Sequence, residues 1–325
     1  MHDRSVSPAS VTFARLLPAV LLSAAAAHAQ SITVQPRVST GIQDYSLEFP
    51  SVTQGNPNGG FRFRDAFKVS DHLHFVGAGL TLGYQKLFID VSGQRSSTGH
   101  DQGEQFQGTD TGSGFTNAAN FGLEHNLNSA FSRKEFNATV GWGFTPAFST
   151  YLGYKHAQAD IASQIQPVLT PGVVQPGDVL FLGTRDIAFS YNGFFVGATY
   201  SVPVEAAHGA FAVQSSVARL NGHYTETFDG AVVVVISRPP FGQSIDPSFA
   251  NKPPVYGKSS GLNLGASWTG NLEWVSERLR RLSYTIGIDR SEYKFTSTQT
   301  IFSDFEETST RVRLDLRYLF SISTK

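Results

Sequence analysis

The stretch Arg311-Val312-Arg313-Leu314-Asp315-Leu316-Arg317-Tyr318-Leu319-Phe320 decides the fold. Val312, Leu314, Leu316, Tyr318 and Phe320 share one face of an extended chain, and Arg311, Arg313, Asp315 and Arg317 share the other. A helix, turning every 3.6 residues, would mix the two sets; a strand, with its period of two, separates them. The same alternation recurs upstream: Val76, Ala78, Leu80, Leu82, Tyr84; then Phe136, Ala138, Val140, Trp142, Phe144; then Phe194, Val196, Ala198, Tyr200; and Leu262, Leu264, Ala266, Trp268. Gly, Thr and Asn fill many of the positions between.

These segments finish on aromatic side chains: Tyr84, Trp142 with Phe144, Tyr200, Trp268, and Tyr318 with Phe320. Aromatic girdles mark the interfaces of a membrane barrel, whose strands show apolar residues to lipid at alternate positions. After the first three markers come brief connections, Gln85-Lys86, residues 145–147 and residues 203–209, with new alternating runs starting at Leu87, Phe148 and Phe211. After Trp268 a longer connection, residues 272–281, precedes a run from Leu282. On the opposite rim the connections are long and rich in Gly, Asn, Asp, Ser and Pro: residues 50–71, 98–131, 165–183, 225–256 and 297–306. With an opening strand over 31–49, the pattern predicts an all-β, transmembrane, antiparallel up-and-down β-barrel of about ten strands, within roughly eight to twelve. Short periplasmic turns and long extracellular loops complete it.

Composition fits. Phe and Tyr number 26 and 11, Gly 31, and Met 1, a mixture suited to strands and turns. There is no cysteine, so an exported chain of this size is held without disulfides, as a closed hydrogen-bonded sheet allows. The N-terminus carries Arg4 and Arg15, an apolar stretch over 16–27 containing Pro18, and Ala27-His28-Ala29 before Gln30. This reads as a signal peptide, residues 1–29, cleaved to leave the barrel over 30–325; the apolar stretch is short of the roughly 20 residues of a spanning helix. Without Asp3, Arg4 and Arg15 the mature chain keeps 23 basic and 25 acidic side chains, a net −2 that argues against nucleic acid as a partner.

With this signal peptide, these dyad strands and this terminal strand, the chain resembles the bacterial outer-membrane β-barrel superfamily over essentially its whole mature length. The resemblance implies an outer-membrane location, long loops facing outward, outer-membrane lipids and lipopolysaccharide as surroundings, and the barrel-insertion machinery as a partner. Members commonly end on a terminal Phe read by that machinery; here residues 321–325 follow Phe320. In strand number and loop length the chain looks like the omptin surface proteases. Omptin-type proteolysis would show close Asp pairs and an Asp/His couple at the outer strand tips, and neither stands at comparable places.

A ten-stranded barrel is narrow, so inward side chains decide whether anything passes. Alternation places Asp90, Asn137, Thr139, Lys155, Gln214, Asn263, Asp289, Arg311, Arg313, Asp315 and Arg317 inward. Arg311, Arg313 and Arg317 could form an anion-favouring constriction; alternatively Asp90, Asp289 and Asp315 neutralise them in a closed ion-pair network, the favoured reading because unpaired buried charge is costly. No catalytic constellation, cofactor or metal site is expected. Gly257-Lys-Ser-Ser-Gly261 matches a nucleophile-elbow pattern, but a loop entering a strand is not the strand-to-helix turn that pattern needs. His72 and His74 share a strand face without a nearby carboxylate, a weak metal site. Two predicted loops are unexpectedly apolar, 165–183 and 231–236. They form a contact surface, or the strands of each hairpin continue above the membrane and pair; in either case the two touch. Three functions follow as expectations: first a porin-like or narrow channel for small solutes; second a surface adhesin or structural barrel with a plugged lumen and partner-binding loops; last, a membrane hydrolase or protease.

Overall fold

The computed structural model describes residues 31–49, 67–107, 123–167, 179–204, 208–237, 241–245, 252–298 and 304–323. Residues 1–29, read above as a signal peptide, lie outside the described residues. Among the described residues thirteen strands run β1 (Ser31–Phe49), β2 (Phe67–Tyr84), β3 (Leu87–Ser96), β4 (Gly99–Gln107), β5 (Leu123–Gly143), β6 (Phe148–Pro167), β7 (Val179–Val204), β8 (Gly209–Ser237), β9 (Phe241–Ile245), β10 (Lys252–Asn271), β11 (Leu282–Ser297), β12 (Phe305–Tyr318) and β13 (Phe320–Ser323). All the pairs are antiparallel, in the order β10-β11-β12-β1-β2-β3-β5-β6-β7-β8, and β8 pairs with β10 to close the ring. β4 prolongs the wall beside β5, β13 prolongs it beside β1, and β9 pairs with the far end of β8. The barrel therefore has ten staves and no free edge around its girth, which removes the aggregation hazard of an open sheet.

Gln85, with φ of 54°, and Lys86 turn the chain between the paired residues Tyr84 and Leu87. Residues 144–147 join β5 to β6, and a single turn of 3-10 helix, Glu277–Leu279, capped by Ser276, sits between β10 and β11. The other rim differs from the sequence reading. Part of each predicted long loop is strand: β2 begins at Phe67, β4 and the first part of β5 lie within 98–131, and β6 and β7 reach into 165–183. β8, β9 and β10 together take most of 225–256, and β12 starts at Phe305. The remaining parts of these loops, residues 50–66, 108–122, 168–178, 238–240, 246–251 and 299–303, lie outside the described residues. Within the apolar segments, Leu182, Phe181, Leu180 and Val179 of β7 face Ala231, Val232, Val233 and Val234 of β8 in register. The hairpin strands do continue and pair, and the two segments touch through their backbones.

The long strands follow from two solvents. A tilted barrel strand needs about 9–11 residues to cross hydrocarbon. On β8 the outward Phe211, Val213 and Val217 are exposed and the next outward residues are Arg219, Asn221 and His223. Residues 219–237 thus carry the wall well past the apolar band. On β2 the exposed Val76 and Leu80 give way to His74, His72 and Ser70; on β11 Ile286 and Ile288 give way to Arg290 and Lys294. The inner face changes in the opposite sense. Behind the apolar band, at the same height, the lumen holds Arg37, Asp90, Asp289 and Arg313, whereas above it Tyr45, Leu47, Leu73, Phe189 and Phe295 are buried. The apolar face is turned to lipid in one part and to the barrel axis in the other.

Candidate functional site: the lumen

Ten strands about 4.8 Å apart, tilted by about 40°, enclose a wall of roughly 10 Å radius, so long side chains from opposed staves can meet. They do so in two layers. In the upper layer Phe189 of β7 meets Phe305 of β12 with ring centroids 4.2 Å apart, and Phe305 stacks on Phe295 of β11 at 4.5 Å. Tyr191 stacks on Tyr293 at 5.1 Å, and Tyr45 lies 5.8 Å from Phe131. β7 and β12 are not neighbours in the ring: three staves separate them on one side and five on the other. Apart from Phe295 on Phe305, which are register partners on neighbouring strands, these contacts join staves that are not adjacent, and the rings concerned are at most 5% exposed. Glycines let them lie flat against the wall. A Cβ on Gly261 would stand 2.2 Å from the Tyr293 ring, and one on Gly257 2.5 Å from that of Phe295.

Directly below, a charged layer braces the same staves. Arg133 of β5 donates from Nε to Glu307 of β12 at 2.6 Å across the lumen, from one terminal nitrogen to Glu135, and from the other to the Tyr191 hydroxyl at 2.7 Å. Glu135 also takes Lys155 at 2.7 Å and faces Arg311 at 3.6 Å. Five charged groups and a phenol thus pair in a buried setting where any one left alone would cost several kcal/mol, although one Glu307 oxygen and the Arg311 Nε make no hydrogen bond among the described residues.

Further toward the short-turn rim, Arg313 Nε lies 3.1 Å from Asp289, and Gln214 donates to Asp289 at 2.7 Å. Arg317 donates to the fully buried Asp315 at 3.2 Å, with Arg313 at 3.7 Å from the same carboxylate. On the adjoining staves, Arg37 of β1, paired with Arg317, holds Asp90 of β3 with both terminal nitrogens, the second at 2.9 Å, while Thr81 of β2 donates to that carboxylate too. These groups surround a cavity of about 360 Å³ lined also by Asn137, Thr139 and Asn263. Arg133 is 4% exposed, Arg311 12%, and Arg317 26%, so access grows toward the short turns.

The structure therefore places Asp90, Lys155, Asp289, Arg311, Arg313, Asp315 and Arg317 on the inner face, each with an opposite charge within 4 Å. Around the short-turn rim, Trp142, Phe144, Tyr200, Tyr318 and Phe320 are exposed and Tyr84 and Trp268 half-buried. Among the described residues no group of three His, Asp or Glu side chains gathers as a metal site. His72 and His74 point outward, His72 lying 3.7 Å from Asp44. Gly257 and Gly261 both stand inside β10.

The fold is a closed antiparallel β-barrel with the features of a membrane-spanning one. Its ring is closed, even-numbered and antiparallel, with short turns at one rim and an apolar outer band; no described helix is long and apolar enough to cross a membrane. No protein-family model matches the barrel, and no curated protein does. Among solved structures it is similar to Ail, the attachment invasion locus protein of Yersinia pestis, at 7% identity over 88% of this chain and 99% of that one, with a TM-score of 0.31. It is similar to the translocator domain of the autotransporter NalP from Neisseria meningitidis at 8% identity, 94% and 96% coverage and 0.28. The toluene transporter TodX of Pseudomonas putida gives 10%, 90% and 90%, and 0.25. The assignment of the barrel rests on its own strand pairing and not on these likenesses.

Several lumen residues escaped the sequence reading: Arg37, Arg133, Glu135, Glu307 and the whole aromatic layer. β1 alternates poorly because Pro36, Thr40 and Gly41 interrupt it, which hid Arg37. The rest lay in segments read as loops or at strand ends. A usable signal was present: in β11 the apolar set moves from even positions, Ile286 and Ile288, to odd ones, Tyr293 and Phe295.

Proposed function

We propose that this protein is an outer-membrane barrel whose lumen is closed and whose work is done by the extramembrane prolongation of its wall, offered to a partner at the cell surface. The observation that carries this reading is the aromatic layer, in which Phe189, Phe295 and Phe305 meet across the lumen above the charged layer. A path for ions would have to cross buried hydrocarbon and then the braces of Arg133. The polar outer face of β2, β8 and β11 above the band, and the strand extensions of β7 and β8, supply the surface.

Purified protein in planar bilayers is expected to show no stepwise conductance, and removal of residues 231–236 to abolish binding to cells or matrix while the barrel still folds. Stepwise conductance by the unaltered protein, changed by Arg313→Gln or Arg317→Gln, would overturn the closed reading. A narrow channel is the second reading, supported by the charged cavity of about 360 Å³. It requires the aromatic layer to part, and the same recording distinguishes the two.

A further inference from the structure

The outer face carries cations at two heights. High above the apolar band they have acidic partners: Lys68 lies 4.0 Å from Glu48, and Lys294 3.0 Å from Glu306. Level with the upper edge of the band several do not. Arg95 of β3 stands directly opposite Lys134 of β5, both exposed, a like-charge cross-strand pair that would repel in water. Lys134 lies 3.8 Å from Asp160, one carboxylate beside two cations, and Arg95 has no ion pair among the described residues. Arg219 of β8 stands opposite Ser260 of β10, two residues from Lys258, which makes Arg219 and Lys258 diagonal neighbours; both are exposed and neither has an ion pair among the described residues.

Each pair caps a bare hydrocarbon wall. Below Arg95 and Lys134 the outward residues are Gly93 and Val91 on β3 and the exposed Phe136 and then Ala138 on β5; below Arg219 and Lys258 they are the exposed Val217 on β8 and, after Ser260, the exposed Leu262 on β10. Two cations at cross-strand spacing, set on the border between water and hydrocarbon, match the shape of a phosphorylated amphiphile: acyl chains along the wall, phosphate between the cations. Two hydrated cations with no bound anion would lose energy to each other; a shared phosphate turns that repulsion into two charge-assisted hydrogen bonds. The borderline position also excludes most acidic macromolecules as the best fit, since they would leave the apolar wall uncovered.

We propose that the pairs Arg95 with Lys134 and Arg219 with Lys258 bind the phosphorylated headgroups of lipids in the leaflet level with the long-connection rim. The inference rests on the apolar band lying in a membrane. The test uses the full barrel in phosphatidylcholine discs with and without phosphatidic acid, with lipid retention read by native mass spectrometry after stripping. Insertion is scored separately in pure phosphatidylcholine by the shift in electrophoretic mobility on heating. The unaltered barrel should retain phosphatidic acid in preference to phosphatidylcholine. Arg95→Gln with Lys134→Gln, and separately Arg219→Gln with Lys258→Gln, should each weaken retention by about tenfold or more at one site, and the fourfold variant should show no preference. These outward substitutions leave folding nearly unchanged. Equal retention by the fourfold variant, or no preference in the unaltered barrel, overturns the proposal. Complete displacement by millimolar inorganic phosphate overturns it in favour of a free-anion site. Failure to insert in phosphatidylcholine overturns the membrane reading itself.

Discussion

The lower and upper parts of this barrel are made from the same strands with the same two-residue period, yet their polarity is opposite. In the lower part Val312, Leu314 and Ile286 face out and Arg313, Asp315 and Asp289 face in; in the upper part Glu306, Thr308 and Lys294 face out and Phe305, Phe295 and Tyr293 face in. No strand changes its pleat at the border. What changes is the solvent against which the outer face is selected, hydrocarbon below and water above. The upper part therefore derives its stability mainly from burying aromatic surface, with few buried charges such as the Arg185–Glu226 pair at 2.7 Å, while the lower part buries chiefly charge and must satisfy it by pairing. Substitutions of one kind should behave differently in the two parts.

The largest effect is expected in the upper core. Phe189→Ala removes a ring in contact with Phe295 and Phe305 and should cost about 3–5 kcal/mol in a urea unfolding titration. A cost near zero would mean that the aromatic layer is not the core of the extension.

Next is a direct exchange between the parts. Leu264→Arg places a charge on the exposed apolar band of β10 and should destabilise the inserted barrel by about 2–4 kcal/mol. Thr308→Arg, on the outer face of β12 above the band, should change stability by no more than about 0.5 kcal/mol. Equal costs at the two sites would erase the distinction between the two solvents.

How far this could be read from the sequence follows from the same distinction. The lower strands were legible because lipid demands an unbroken apolar face, and Val312 to Phe320 or Val76 to Tyr84 meet that demand within a short window. The upper strands were not, because in water an outer face tolerates Gly, Asn, Ser and Pro, the residues that also make loops. Ser129, Ser163 and Ala159 face inward in regular strands yet give no apolar signal. The inward position of Asp289 or Arg313 needs only the period of two, but the partner across the lumen does not. Arg133 and Glu307 are separated by 174 residues, and nothing local to either announces the other.

The smallest effect tests where the upper wall is weakest. Regular pairing of β2 with β3 stops at Phe75 and Ser96, and β4 ladders only with β5, so the upper end of β2 is joined to β4 largely through side chains. Asp71 accepts the His100 amide at 2.9 Å and the His72 amide at 2.6 Å, and Asp101 accepts the Ser70 amide at 2.7 Å. The His100 amide holds the Asp71 carboxyl below the usual carboxylate range against the opposing effect of burial, with smaller contributions from the His72 amide and the nearby imidazoles. A depressed folded value stabilises the seam at every pH above the unfolded value of about 3.9 and loses that contribution as pH falls through the lower folded one. Since Asp71 is largely solvated, the contribution should be under about 1 kcal/mol. Protection of the His100 amide against hydrogen exchange, corrected for its intrinsic rate, should therefore stay level from pH 7 to about 5 and drop below about 4. In Asp71→Asn it should be lower throughout and without that drop. A drop that persists in Asp71→Asn would assign the acid sensitivity to another group, and the seam would not depend on this carboxylate.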